Sequence, residues 1–116
     1  MTDKIVVSIT CGSAEEARRL ARLLVEERLA ACVQVLPSVR SVYRWRGAVE
    51  ESEEWLLLIK TRRGLFEQLR RRIRAAHSYE LPEILACPVV DGEPDYLAWI
   101  DAEVPEPGPL QDGAAV

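Results

Sequence analysis

Residues 39–61 read VRSVYRWRGAVEESEEWLLLIKT, and the way this stretch divides decides the architecture. From Val39 to Arg46, Val39, Ser41, Tyr43 and Trp45 fall on one face and Arg40, Val42, Arg44 and Arg46 on the other, the period of two that marks an extended segment. Gly47 supplies a turn. From Val49 to Thr61 the chain is extended again, wet at first with Glu50, Glu51, Glu53 and Glu54, then apolar on both faces through Trp55-Leu56-Leu57-Leu58-Ile59. That second half must be covered on both sides. Two long strands joined by a tight turn make a hairpin whose tip outreaches a small domain. An exposed edge carrying Tyr43 and Trp45 invites aggregation unless something covers it.

On the N-terminal side, KIVVSITC (residues 4–11) is rich in β-branched types and ends at Gly12, a first strand. Ser13 opens a helix as a capping box with Glu16, the hydroxyl accepting from the Glu16 N–H and the carboxylate returning to the Ser13 N–H. Ala17, Leu20, Ala21, Leu24 and Val25 form its buried stripe, up to about Arg28. AACVQVL (residues 30–36) reads as a buried strand interrupted at Pro37 and resuming beyond the bend.

On the C-terminal side, a second helix from about Gly64 buries Leu65, Phe66, Leu69, Ile73 and Ala76. His77-Ser78-Tyr79-Glu80-Leu81-Pro82 is a loop, and residues 83–90 a fourth strand with Pro88 near its end or on an edge. Pro94 opens a short helix to about Ile100.

The order β-α-β-β-α-β plus a terminal helix predicts an α+β, ferredoxin-like split βαβ domain over residues 1–102, both helices on one face of an antiparallel sheet. The opposite face needs a partner. Residues 103–116, rich in Pro and Gly, are expected to be a disordered tail.

Fifteen basic residues against nineteen acidic, a net charge of −4, give no electrostatic footprint for nucleic acid or an anionic membrane. Arg70, Arg71, Arg72 and Arg74 read as a solvated helix face. No apolar run is long enough to span a bilayer and no signal peptide is evident. Three cysteines, Cys11, Cys32 and Cys87, without a CxxC pair, are expected to be free thiols in a reducing, cytoplasmic compartment, Cys87 in the core.

Five segments then stand out: Glu27-Arg28-Leu29-Ala30-Ala31-Cys32, Ser41-Val42-Tyr43-Arg44-Trp45-Arg46-Gly47, Lys60-Thr61, His77-Ser78-Tyr79-Glu80-Leu81-Pro82-Glu83-Ile84 and Asp95-Tyr96-Leu97-Ala98-Trp99-Ile100. In this order and at these separations they resemble the CutA family, from about Ile5 to Ile100. The resemblance implies a ferredoxin-like subunit assembled into a homotrimer through its long hairpins, associated with tolerance to divalent metals, some members binding copper. Such members use a cysteine near the end of the first strand and paired histidines before the Tyr-x-x-Pro-Glu segment. Here Ile9 and Ala76 stand in the places of that cysteine and the first histidine, leaving His77, with Cys11 two residues further on and Cys32 beside the expected intersubunit cleft. Copper (Cu2+) is the metal this implies.

Each candidate also has an ordinary role. His77, the single histidine, can cap a helix end or bind a metal. Cys32 lies in an apolar run and can simply pack, or offer a soft thiolate to copper. Lys60 and Glu83 could pair, or line a cleft for a small anionic metabolite with Tyr79 and Tyr96 adding hydroxyls. Tyr43, Trp45 and Trp55 are expected in an interface, with stacking on a ligand as the alternative. No nucleophile elbow, P-loop or dinucleotide fingerprint occurs, so no catalytic residue is assigned. The expectation is a binding protein and not an enzyme: either a metal-binding trimer or a signal-type module holding an anionic metabolite between subunits.

Overall fold

Alternation along the first strand builds the core. In the computed structural model, which describes residues 1–106, β1 (Lys4–Cys11) buries Ile5, Val7, Ile9 and Cys11. The antiparallel register sets Ile9 opposite Leu57 and Val7 opposite Ile59 of β3 (Ala48–Arg62), so one face of the sheet is continuous and apolar. α1 (Ala14–Glu26) covers it with Ala17, Leu20 and Leu24, and α2 (Phe66–Ala76) with Leu69 and Ile73. β2 (Cys32–Trp45) and β4 (Leu85–Pro88) complete an antiparallel sheet of order β2-β3-β1-β4, the ferredoxin-like arrangement.

The hairpin closes on a two-residue turn. Trp45 pairs with Ala48, and Arg46 and Gly47 both take positive φ, 52° and 84°, as a primed turn requires to match strand twist. β2 is not two strands. It runs through Pro37 by a register shift between Leu36 and Val39, with Ser38 at φ 63°. Proline is tolerated because β2 lies at the sheet edge, where a missing N–H breaks no ladder.

Several expectations are corrected. β4 is shorter than residues 83–90, since only Leu85–Pro88 pair with β1. Cys87 is exposed: it pairs with Val6 on the face turned away from the helices. α1 stops at Glu26, and α2 is preceded by a 3-10 turn at Arg63–Leu65. α3 (Pro94–Glu103) continues past Ile100, and Val104 behind it is fully buried, so the domain does not end at residue 102.

Arg62 ties this end down, with Nη2 2.6 Å from Asp101 Oδ1 and Nη1 2.7 Å from Glu106 Oε2, while Lys4 reaches Asp101 at 2.8 Å. The remainder of the expected tail, residues 107–116, lies outside the described residues. Val104→Ala is expected to cost about 1–2 kcal/mol, the scale of a partly emptied valine site, and to lower Tm by roughly 4–8 °C per kcal/mol. An unchanged thermal melt would show that the segment does not dock.

The second sheet face carries Val6, Leu36, Leu56, Leu58 and Leu85, with Leu36 38 % and Leu85 60 % exposed. Both helices lie on the other side.

Candidate binding cleft

The loop after α2 is held by three side chains that sequence patterns place far apart. His77 is buried, its Nε2–H donating to the Thr10 carbonyl at 2.7 Å while Nδ1 accepts the Tyr79 N–H at 3.0 Å. Both ring nitrogens are therefore engaged by backbone. Glu16 of α1, 7 % exposed, accepts from the Ser78 N–H at 2.8 Å and from its hydroxyl at 3.0 Å, and lies 3.8 Å from His77 Nδ1. Burial acts to raise the Glu16 carboxyl, but the Ser78 donors, His77 and the Gly12 backbone together hold it below the usual carboxylate value. The expected capping box is thus half formed: Ser13 Oγ accepts from Glu16 N at 3.1 Å, but the carboxylate serves Ser78 instead.

Tyr79 carries the loop to the sheet. Its hydroxyl donates to Glu54 Oε2 at 2.7 Å, and burial, then this carboxylate, push the phenol up. Gly12 makes the passage possible, since a Cβ there would sit 3.1 Å from the Tyr79 hydroxyl.

Between this loop and the hairpin lies an open cleft of about 730 Å³, lined among others by Thr10, Tyr43, Trp45, Glu54, Tyr79 and Glu83. Among the described residues no lysine or arginine lines it. At its rim the Arg46 guanidinium lies 5.3 Å from the Trp45 ring centroid and 3.3 Å from Glu80 Oε1.

The other candidates lie elsewhere. Lys60 hydrogen-bonds Gln34, and Cys32 faces it across the β2–β3 ladder. Burial, and then the adjoining Cys32, raise the Tyr96 hydroxyl. This group sits five β3 positions from the Trp55 rung, roughly 17 Å away at ~3.3 Å per residue. Within one chain Lys60 and Tyr96 are not among the residues that line this cleft with Tyr79 and Glu83, and the hydrogen bond to Glu83 comes from Ser8 at 3.2 Å. Trp55 packs against the hydrophobic core, while Tyr43 and Trp45 are 43 % and 37 % exposed.

Cys11 is fully buried and its thiol is pushed up to about 12, chiefly by burial, which keeps it protonated and unsuited to metal. His77, Cys11 and Cys32 do not converge, and among the described residues no group of three or more His, Cys, Asp or Glu is placed to hold a metal ion. The donors of one chain do not fit a copper centre. In the arginine cluster, Arg70 pairs with Glu67 and Arg72 with Glu27, each at 2.8 Å, as a solvated face does. No helix among the described residues is long and apolar enough to cross a membrane.

Glu16 and Glu54 were not distinguished as site residues by sequence. Glu54 sits in an acidic run that reads as wet, yet it is 6 % exposed in the cleft wall, where the Tyr79 hydroxyl from the loop after α2 bonds it. Its neighbours in sequence carry no signal of this.

Comparison with known proteins agrees with the fold. The family described as CutA1 divalent ion tolerance protein matches residues 5–103. A divalent-cation tolerance protein CutA of Thermus thermophilus is 50 % identical over 95 residues, 82 % of this chain and 92 % of that one. A chloroplastic CutA of Arabidopsis thaliana is 44 % identical over 96 residues, 83 % of this chain but 53 % of its own length, so the chain spans about half of that relative. Among solved structures, the Thermus thermophilus protein superposes with TM-score 0.86 at 47 % identity, covering 88 % of this chain and 99 % of that one. CutA1 of Oryza sativa gives 0.88 at 40 %, covering 90 % and 95 %. A relative from Archaeoglobus fulgidus, 39 % identical with TM-score 0.86 and covering 88 % and 99 %, is described as periplasmic. With its sheet order, its helices and nearly its whole described length accounted for in this way, the chain belongs to the CutA1 divalent ion tolerance family.

Proposed function

We propose that this chain serves divalent-cation tolerance as a cytoplasmic homotrimeric binding protein, not as an enzyme, and that a divalent metal such as copper meets donors from more than one copy. The observation that carries the reading is the uncovered sheet face. A sheet apolar on both sides needs two covering layers, and at roughly 25 cal/mol per Å² the exposed leucines of this face favour a second copy. Trimerisation is the state the family resemblance implies, and the family description and the names of relatives support the tolerance role.

For metal, the donors free to act are the thiols that the fold leaves accessible. Cys32 is half-buried and Cys87 exposed. Register puts them on one rung, Cys32 opposite Lys60, Lys60 opposite Val6 and Val6 opposite Cys87. Three strand spacings, roughly 14 Å, separate them within one chain, too far for a shared ion, so a shared site requires a neighbour's thiol. Soft thiolates suit copper.

Sedimentation equilibrium at micromolar concentration tests the assembly, with a threefold mass expected, and a monomer would sink it. Calorimetric titration with Cu2+ tests the donors. His77→Ala is expected to bind copper as the wild type does, and Cys32→Ser at least about tenfold more weakly. The opposite ranking would return the metal to the imidazole.

A further inference from the structure

We infer that Asp91-Gly92 is a modification site, at which the folded chain converts Asp91 to isoaspartate through a cyclic imide and so becomes a substrate for a carboxyl methyltransferase. The sequence holds no asparagine, so any isoaspartate must arise from aspartate, and it holds two Asp-Gly pairs, Asp91-Gly92 and Asp112-Gly113. The first lies in the segment between β4 and α3, and the second lies outside the described residues.

Reach, room and access carry the argument. The Gly92 N–H donates to Asp91 Oδ1 at 2.9 Å, so the carboxyl is already folded back onto the backbone nitrogen that closes a five-membered ring with it. Reacting groups held in contact need no search for one another. With no Cβ, Gly92 leaves that nitrogen unshielded. Both residues are exposed, so water reaches the ring once it has formed. The fold also accounts for glycine at this place, since a Cβ there would stand 3.2 Å from Leu97 Cδ2 and 3.4 Å from its Cγ. Packing against α3 therefore selects the residue that leaves Asp91 most open to cyclisation. The pair lies beyond the β4 ladder, which ends at Pro88, and so outside the sheet face assigned to contact between copies.

The chemistry uses only water. Gly92 N attacks Asp91 Cγ, the N–Cγ bond forms, a Cγ–O bond breaks, and the nitrogen's proton leaves with the hydroxyl as water. Water then adds to one of the two ring carbonyls. Addition at Cγ restores aspartate. Addition at the Asp91 main-chain carbonyl breaks its bond to Gly92 N, so the chain now runs through Cγ and the former main-chain carboxyl is free. Mass is unchanged. The freed α-carboxylate is the group that the methyltransferase esterifies, with a methyl from S-adenosylmethionine.

The main chain thereby gains one methylene just ahead of α3. The first turn of that helix depends on the Glu93 carbonyl, which accepts the Leu97 N–H at 3.0 Å, and on Leu97 lying over Gly92. Both contacts fall within two residues of the added carbon, so the start of α3 is expected to loosen while Ile100 and Val104 hold its far end in the core.

The test incubates the full chain for weeks at neutral pH and physiological temperature. Isoaspartate is counted by methyl transfer from labelled S-adenosylmethionine and placed by electron-transfer fragmentation of its peptides. Isoaspartate is expected at Asp91 with no change of mass. Asp91→Glu, whose ring would need six members, is expected to lose that signal and to keep any at Asp112. Asp91→Asn, which expels ammonia more readily than aspartate expels water, is expected to form isoaspartate faster. A peptide of residues 88–94 and the Asp112-Gly113 pair act as references. Isoaspartate in the peptide or at Asp112 but not at Asp91 of the folded chain would show that the fold protects the pair, and would overturn the inference. So would a methylation signal that survives Asp91→Glu combined with Asp112→Glu. Amide exchange at Leu97 is expected to quicken in the aged wild type and not in aged Asp91→Glu, and equal rates overturn the link to α3.

Discussion

Leu58→Asp is expected to leave a folded monomer at concentrations where the unmodified chain, on the trimer proposed above, is expected to sediment as three copies. Leu58 lies on the central strand β3, between Gln34 and Ser8, on the sheet face that neither α1 nor α2 covers. In an isolated subunit a carboxylate at this half-exposed position keeps its water, so circular dichroism should be unchanged. Within an apolar interface the same carboxylate loses its water without a partner. The penalty is several kcal/mol per ion, and a symmetric assembly incurs it in every copy. Affinity is therefore expected to fall at least about a thousandfold, since each ~1.4 kcal/mol is tenfold. Sedimentation velocity over a dilution series reads this directly. A variant that remains oligomeric would show that the open face is not where the copies meet.

Glu16→Ala is expected to destabilise the subunit itself, by about 3 kcal/mol. Hydrogen bonds to a charged group contribute ~1.5–3 kcal/mol each, and the Ser78 N–H and hydroxyl both lose theirs. The loop beyond His77 should loosen with them, so amide exchange at Ser78 and Tyr79 should quicken. Urea denaturation measures the first effect and exchange the second.

The charge has its own signature in pH. Because the folded Glu16 carboxyl titrates below its ordinary value of 4.5, its contribution is fully present above that value and is lost as pH falls through the lower folded one. Glu16→Gln keeps the shape and removes the titration. The stability gap between wild type and Glu16→Gln should be constant near neutrality and close below about pH 4.5. A gap that persists into strong acid would mean that Ser78 needs the shape of Glu16 and not its charge.

Most of the architecture was legible in the order of residues. The β-branched run from Lys4 to Cys11, period-two alternation from Val39 to Trp45, and the helical stripes through Leu20, Leu24, Leu69 and Ile73 returned as strands and helices. These patterns are local, since each reports which side of one element meets oil. The same locality explains the failures. Cys87 looked like core because its neighbours are apolar, yet it lies on the uncovered face. Val104 looked like tail because prolines follow it, yet it is fully buried.

The cleft belongs to the second kind of fact. Glu54 reads as one of a run of solvated glutamates, and becomes a buried wall because Tyr79, 25 residues later, brings its hydroxyl to it. His77 reads as a helix cap or a metal ligand, and has both nitrogens taken because Tyr79 donates its N–H to Nδ1 and Thr10, 67 residues earlier, brings its carbonyl to Nε2. Glu16 and Ser78, 62 residues apart, meet through the packing of α1 against the loop after α2. Sequence alone determined the elements, their order and the family, because hydrophobic period and turn chemistry act between near neighbours. Which polar groups are satisfied, and which carboxylate is left facing a cleft, was decided by tertiary structure. Hydrogen bonds and desolvation depend on groups that meet only after the chain has folded.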